Sequence, residues 1–191
     1  MTKRLFIAIK INPDQGFLDA FRMLTVQLRH ERIKWVEEHN IHITLKFLGI
    51  TEELQIPRIE EVLSGLASGT RTFSFSLRKL GLFGSAYAPK VIWAGIEPPG
   101  DLAGIMKDVH DRLATIGFEA DRQNLVPHLT LGRINQLRDK PLFQLIIGQH
   151  KNISSGIITV DRIFLFESIL KKEGPVYIAL QNYPLKGTIL P

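Results

Sequence analysis

Asn40-Ile41-His42-Ile43-Thr44-Leu45-Lys46-Phe47-Leu48-Gly49 alternates apolar and polar residues around a His-x-Thr core, and a second copy returns as Pro127-His128-Leu129-Thr130-Leu131-Gly132-Arg133-Ile134. Such alternation reads as a half-buried β-strand. Side chains two apart on a strand share a face. His42 and Thr44 are therefore expected to point one way, and Ile43, Leu45 and Phe47 the other. His128 and Thr130 repeat the arrangement against Leu129 and Leu131. Each strand would bury an apolar row and present an imidazole beside a hydroxyl.

Around the first copy, residues 5–11 read as a strand and Asn12-Pro13-Asp14 as a turn and helix start. A helix follows, with Phe17, Leu18, Phe21, Leu24 and Leu28 at helical spacing. Residues 33–36 form a short strand, 37–40 a polar loop, and the His/Thr strand is expected to stop at Gly49. A helix over 53–67 and a strand over 72–80 come next. Gly81-Leu82-Phe83-Gly84-Ser85 reads as a flexible loop. The order then restarts: strand 91–96, a helix to about 116, the second His/Thr strand, and a helix over 141–149. One long strand is expected over 156–168, a solvated tip at Lys171-Lys172-Glu173, a turn at Gly174-Pro175 and a last strand over 176–185.

This is an internal duplication. His42 and His128 lie 86 positions apart, and the same offset carries Leu5-Phe6-Ile7-Ala8 onto Val91-Ile92-Trp93-Ala94. Each half reads strand, helix, His/Thr strand, helix, strand. That order predicts helix-covered sheets in two lobes related by an approximate twofold, with equivalent strands meeting across a groove. The halves are roughly 1–85 and 86–191. With no low-complexity linker between them, 1–191 reads as one bilobal domain.

Composition narrows the function class. With 45% hydrophobic and 23% charged residues the chain is ordinary for a soluble globular protein. No apolar run approaches the ~20 residues that span a bilayer. The N-terminal apolar run stops at Lys10 after about five residues, short of the roughly 7–15 of a signal core. The absence of cysteine excludes disulfides, thiolate nucleophiles and cysteine zinc sites. A cytoplasmic protein is expected. A net charge of +5 and a pI near 9.6 favour a polyanionic partner, nucleic acid above all.

Two histidines at equivalent places suit acid/base work. Imidazole titrates near ~6.5, so one ring can accept a proton while the other donates one. A phosphodiester attacked in line between them fits this pair, with the threonines as donors to its non-bridging oxygens. Arg133 would add charge, but on an ideal strand its parity is opposite to that of His128 and Thr130. Its role therefore requires the strand to end or twist there. From these residues alone, donor and acceptor are interchangeable. A zinc reading is weaker, because His39 and Glu38 make poor third ligands. His30, His110 and His150 fall on helical surfaces and read as solvated. No Gly-x-Ser-x-Gly elbow and no phosphate-binding Gly-rich loop ending in Lys-Ser/Thr occurs.

These residues resemble the 2H phosphoesterase superfamily, and within it the RNA 2′,3′-cyclic phosphodiesterase family, also called 2′-5′ RNA ligase. The resemblance rests on the two His-x-Thr-x blocks, the opening Arg4-Leu5-Phe6-Ile7-Ala8-Ile9, Trp35-Val36, Val91 to Ile96, Arg133, and the pair Phe166 to Leu170 and Gly174 to Tyr177. His39, where the family often has an acidic residue, and Gly132, commonly alanine, depart from it. It implies an α+β, bilobal duplicated fold: two pseudo-twofold-related lobes of antiparallel-rich sheet covered by helices, with a central cleft. It implies hydrolysis of RNA 2′,3′-cyclic phosphate ends to 2′-phosphomonoesters without metal or cofactor; some relatives join tRNA halves through a 2′-5′ bond. His42 would be the proton donor and His128 the acceptor, with Thr44, Thr130 and Arg133 holding phosphate. The duplication already supplies two lobes, so a monomer is expected. Two alternatives are a non-catalytic RNA-binding module, and an enzyme of the superfamily acting on other cyclic or 2′-5′ linked nucleotides.

Overall fold

The computed structural model describes residues 1–85, 87–119, 126–171 and 174–187. In chain order the elements are β1 (Thr2–Lys10), α1 (Gln15–Gln27), β2 (Arg32–Trp35), β3 (His42–Glu52), α2 (Ile56–Gly69), β4 (Phe73–Ser85) and β5 (Ala88–Glu97). There follow α3 (Gly100–Ala114), β6 (His128–Gln136), α4 (Lys140–Gln149), β7 (Ser154–Val160), β8 (Arg162–Leu170) and β9 (Pro175–Pro184). They build an α+β fold of two sheets, ordered β3-β1-β8-β9 and β2-β6-β5-β4-β7. The named strand pairs are antiparallel.

The 86-residue offset maps β1 onto β5, α1 onto α3, β3 onto β6, α2 onto α4 and β4 onto β8. In space β3-β1-β8 then matches β6-β5-β4. The third strand of each triplet comes from the opposite side of residue 86. β4 crosses to pair with β5, and β8 crosses back to pair with β1. The sheets thus interlock instead of following the chain's midpoint.

One continuous core fills the space between sheets and helices. Leu5, Ile7 and Ile9 of β1 and Leu129 and Leu131 of β6 enter it, with Phe17, Phe21 and Leu24 of α1 and Leu102, Val109 and Leu113 of α3. The helical residues recur at the three- and four-residue spacing of an apolar stripe. β1 is buried on both faces. Its Phe6 and Ala8 turn away from this core and pack with Phe166 in a second apolar cluster. That second cluster floors the functional face described below.

Asp14 shows how local sequence fixes the entry to α1. Its carboxylate caps the helix by accepting the Phe17 N–H at 3.0 Å, and it also accepts the Gly156 N–H at the β7 edge. These two bonds, that from Gly156 first, hold its pKa below the ordinary carboxyl value. Asp14→Ala is expected to lower stability by about 1 kcal/mol at neutral pH. A carboxyl with a lowered folded-state pKa contributes its full stabilisation above its unfolded value of about 3.9 and loses it as the pH falls from there through the lower folded value. Thermal melts of the two proteins should therefore converge as the pH falls below about 4.

Three expectations are corrected. The strand expected over 156–168 is two strands in different sheets, β7 beside β4 and β8 beside β1 and β9. The buried positions change parity at the break, from Ile158 and Val160 to Ile163 and Leu165, with Asp161 and Arg162 between them, a one-residue slip that is easily overlooked in a run so rich in apolar residues. β3 does not stop at Gly49 but runs on to Glu52. Gly49 has φ 75° and sits beside a register shift, where Leu5 faces Gly49 and Phe6 faces Phe47. Gly81 to Ser85 is not a loop but the second half of β4, paired with β5. Its glycines admit neighbours: a Cβ on Gly81 would lie 2.1 Å from the Trp93 ring. The tip expected at Lys171-Lys172-Glu173 falls partly outside the described residues.

Candidate active site

Both His/Thr strands open on their histidine, and both histidines are held in the same way. His42 Nδ1 lies 2.6 Å from the Asn40 carbonyl oxygen, and His128 Nδ1 lies 2.8 Å from that of Val126. A carbonyl can only accept, so each Nδ1 carries its hydrogen. Nε2 of each neutral ring is then the free, lone-pair-bearing nitrogen. A backbone carbonyl two residues upstream has fixed the tautomer twice. On the His42 side, Asn40 closes a short 3-10 turn, Glu38–Asn40. Arg22 of α1 steadies that turn by donating to both Glu38 oxygens, at 2.6 and 2.7 Å.

Aromatic rings enclose the imidazoles. Phe6 and Tyr177 each lie 5.2 Å from the His42 ring, the tyrosine edge-on. Phe83 lies 4.8 Å from the His128 ring, nearly perpendicular to it, and stacks on Trp93. This burial pushes both histidine pKa values below the ordinary one. The bonds to Asn40 and Val126 oppose the shift, and the charge of Arg133 adds to it at both rings. A single guanidinium therefore acts on both imidazoles.

Arg133 reaches that position through a β-bulge. In the β5–β6 ladder Ile92 faces Gly132 and Trp93 faces Thr130, so Leu131 is the extra residue. Leu131 and Gly132 both turn inward, which restores Arg133 to the face of His128 and Thr130. Bulges commonly re-aim a side chain beside an active site in this way. The parity conflict in the sequence is thereby resolved. β3 carries the matching bulge: Ile7 faces Lys46, Ala8 faces Thr44, and Leu45 is extra. Phe47 is consequently not on the Leu45 side, as simple alternation predicts. It is 56% exposed and lies 6.1 Å from Phe6, on the side of His42 and Thr44.

The duplicated bulges differ in what they carry. Outward, one presents Phe47 and the other Arg133. Inward, one buries Lys46 and the other has Gly132, whose missing Cβ would stand 2.8 Å from the Trp35 ring. Lys46 donates to the Glu119 carbonyl at 2.6 Å and lies 3.3 Å from His110 Nδ1. His110 is accordingly not solvated: it is 2% exposed, with Nε2 3.1 Å from the Leu45 carbonyl oxygen. Helical periodicity placed it on a surface, but the bulged strand lies against that face of α3.

Thr44 and Thr130 are half-buried on the histidine face. Among the described residues, neither hydroxyl has a hydrogen-bond partner and Arg133 has no ion-pair partner. Such groups are available to an anion. Two strands thus present two free Nε2 atoms, two hydroxyls and one guanidinium. Among the described residues no three His, Asp or Glu side chains cluster as a metal ion would require, and no helix is long and apolar enough to cross a membrane.

The model of the LigT-like phosphoesterase family matches residues 9–93 and 96–177. The chain belongs to this family. Among its LigT-like relatives, the RNA 2′,3′-cyclic phosphodiesterase of Methanothermobacter thermautotrophicus is 30% identical over 97% of this chain and 100% of its own length. That of Archaeoglobus fulgidus is 33% identical over 94% of this chain and 99% of its own. A Thermus thermophilus crystal structure covers 96% of this chain and 98% of its own, with 25% identity and a TM-score of 0.76. The structure of Escherichia coli LigT complexed with 3′-AMP shares the fold, with a TM-score of 0.75 at 19% identity over 97% and 99% of the two chains.

The enclosing aromatics escape sequence inspection. Phe83 was hidden in an apparent loop, while Trp93, Tyr177 and Phe6 read as ordinary strand residues. One usable signal was the unbroken apolar run Leu5 to Ile9, which marks a strand buried on both faces. Gly81 supports this wall by leaving room for the Trp93 indole. Gly81→Ala is expected to displace the Trp93–Phe83 stack from His128. Misplacement of about 1 Å can cost 10²-fold, so a loss of that order in kcat/KM should be seen in steady-state assays.

Proposed function

We propose that this LigT-like phosphoesterase hydrolyses RNA 2′,3′-cyclic phosphate ends to 2′-phosphomonoesters, with His42 as proton donor and His128 as proton acceptor. One observation carries the reading: two imidazoles, each tied through Nδ1 to a carbonyl two residues upstream, share one arginine. The names of the curated relatives supply the substrate class.

In this reaction His128 Nε2 takes a proton from water as its oxygen bonds to phosphorus. The P–O3′ bond breaks opposite the attacking oxygen. His42 Nε2 delivers its proton to the departing O3′, leaving a 3′-hydroxyl and a 2′-phosphate. Thr44 and Thr130 donate to the non-bridging oxygens, and Arg133 neutralises the charge gathering on them. The phosphate's negative charge restores the protonated state of His42, which burial and Arg133 disfavour in the free protein. A 5′-hydroxyl in place of water would give a 2′-5′ bond, so joining of tRNA halves is the corresponding second reaction. Both histidines come from one chain, which supports action as a monomer, and the cysteine-free composition suits the cytoplasm.

The test is incubation with RNA ending in a 2′,3′-cyclic phosphate, followed by identification of the product. A 2′-phosphate end is expected. A 3′-phosphate would reverse the assigned roles of the two bridging oxygens, and tight binding without turnover would make the protein a binding module.

A further inference from the structure

Beyond Phe6, β1 carries Arg4 on the functional face. Arg4, Phe6 and Ala8 share one side of that strand. Ala8 faces Thr44 and Phe6 faces Phe47 in the ladder. Walking from Ala8 to Arg4 therefore leads away from the histidines by roughly 13 Å, at about 3.3 Å per residue. A cavity of about 430 Å³ covers this path, lined by Arg133 and Arg4 with Phe6, Phe47, Tyr177 and Ser168 among its walls. No carboxylate lines it among the described residues, and Arg4 has no ion-pair partner among them. The charges of both arginines reach the Tyr177 hydroxyl, opposing the upward push of burial on its pKa.

Resting on the reading of the active site given above, we infer that this cavity seats the terminal nucleoside and that Arg4 binds the phosphate on its 5′ side. The volume falls in the range of small-molecule pockets. Aromatic faces suit a base or ribose, and a guanidinium suits a phosphate. Arg133, whose charge acts on both imidazoles, and Arg4 both line this cavity, so it offers one guanidinium to the reacting phosphate and a second to another phosphate of the same nucleotide. The substrate class is accordingly a nucleotide bearing a 5′-phosphate as well as the 2′,3′-cyclic phosphate, as every RNA end longer than one residue does.

The experiment compares kcat/KM for two probes, a nucleoside 2′,3′-cyclic phosphate with a 5′-hydroxyl and the same compound with a 5′-phosphate. A dinucleotide ending in the cyclic phosphate serves as a third probe, with the linkage either natural or an uncharged methylphosphonate. The native protein is expected to favour the 5′-phosphorylated compound and the natural dinucleotide by about tenfold, the effect of one charged hydrogen bond. The preference should appear mainly in KM. Arg4→Gln should remove most of it, and Arg4→Lys should retain part. Equal rates on all probes with the native protein overturn the inference, as does an Arg4→Gln variant that keeps the preference or loses rate equally on every probe. Absence of turnover on every probe instead overturns the catalytic reading, and this inference with it.

Discussion

His42→Asn and His128→Asn are each expected to lower kcat on a 2′,3′-cyclic phosphate by roughly 10²–10⁴, the usual contribution of a positioned acid or base. Asparagine is the informative replacement. Its side-chain NH₂ can take the place of Nδ1–H against the Asn40 or Val126 carbonyl, while the proton-carrying Nε2 is lost. The variants should fold as the native protein does, with unchanged far-UV circular dichroism and melting temperatures within a few degrees. The double variant should be little slower than the worse single one, because groups that act as a unit are not additive in their losses. Full multiplicative loss would mean that the two imidazoles work in separate steps. Normal turnover by either single variant would remove that histidine from the chemistry. Turnover by the native protein should also persist in EDTA; loss there would bring back a metal-assisted route.

The duplication was the most legible part of the fold, because strand and helix periods survive in each half at one offset. What periodicity could not show is which sheet a strand joins. β4 and β8 each leave their own half to pair with the first strand of the other, and nothing in Phe73 to Ser85 or Arg162 to Leu170 encodes the partner. The errors share a cause in irregular backbone. Gly81 and Gly84 read as loop residues because glycine is common in loops, yet Gly81 is small here because an indole lies over it. Asp161 and Arg162 separate two strands by a single slip in parity, from Ile158 and Val160 to Ile163 and Leu165, within one long apolar-rich stretch.

The same limit applied to the active site. His42, Thr44, His128 and Thr130 were readable because they precede the bulges, where simple alternation holds. Phe47 and Arg133 follow the bulges, and there alternation gives the wrong face. A bulge adds one residue to one strand and inverts the parity of everything after it. Its sequence trace was faint: Leu45-Lys46 and Leu131-Gly132 place a buried residue next to a lysine or a glycine, which looks like ordinary alternation. The aromatic walls come from β4, β5, β9 and β1, elements far apart in sequence that only the sheet order brings together.

Arg133 has two effects that substitutions can separate. In the proposed reaction it would donate to the phosphate and stabilise charge that builds up in the transition state, and losing such a group typically costs about 10²–10³ in kcat. As a charge it lowers the pKa of both histidines, alongside the larger effect of burial. The free protein's two histidines thus titrate below the ordinary value of about 6.5, and the pH profile of kcat/KM should be bell-shaped with its peak on the acid side of that value. Arg133→Gln removes the charge. Each imidazolium then becomes easier to form, both pKa values rise, and the whole profile should move to higher pH while its height falls. Arg133→Lys keeps the charge but not the planar fork that matches two phosphate oxygens. It should lose rate while leaving the peak nearer its native position. If Arg133→Gln lowers the rate with no displacement of either limb, the guanidinium does not act on the imidazoles through its charge. If only one limb moves, that limb identifies the histidine nearer to Arg133. Combining each asparagine variant with Arg133→Gln would then show whether the acid or the base is the one it governs.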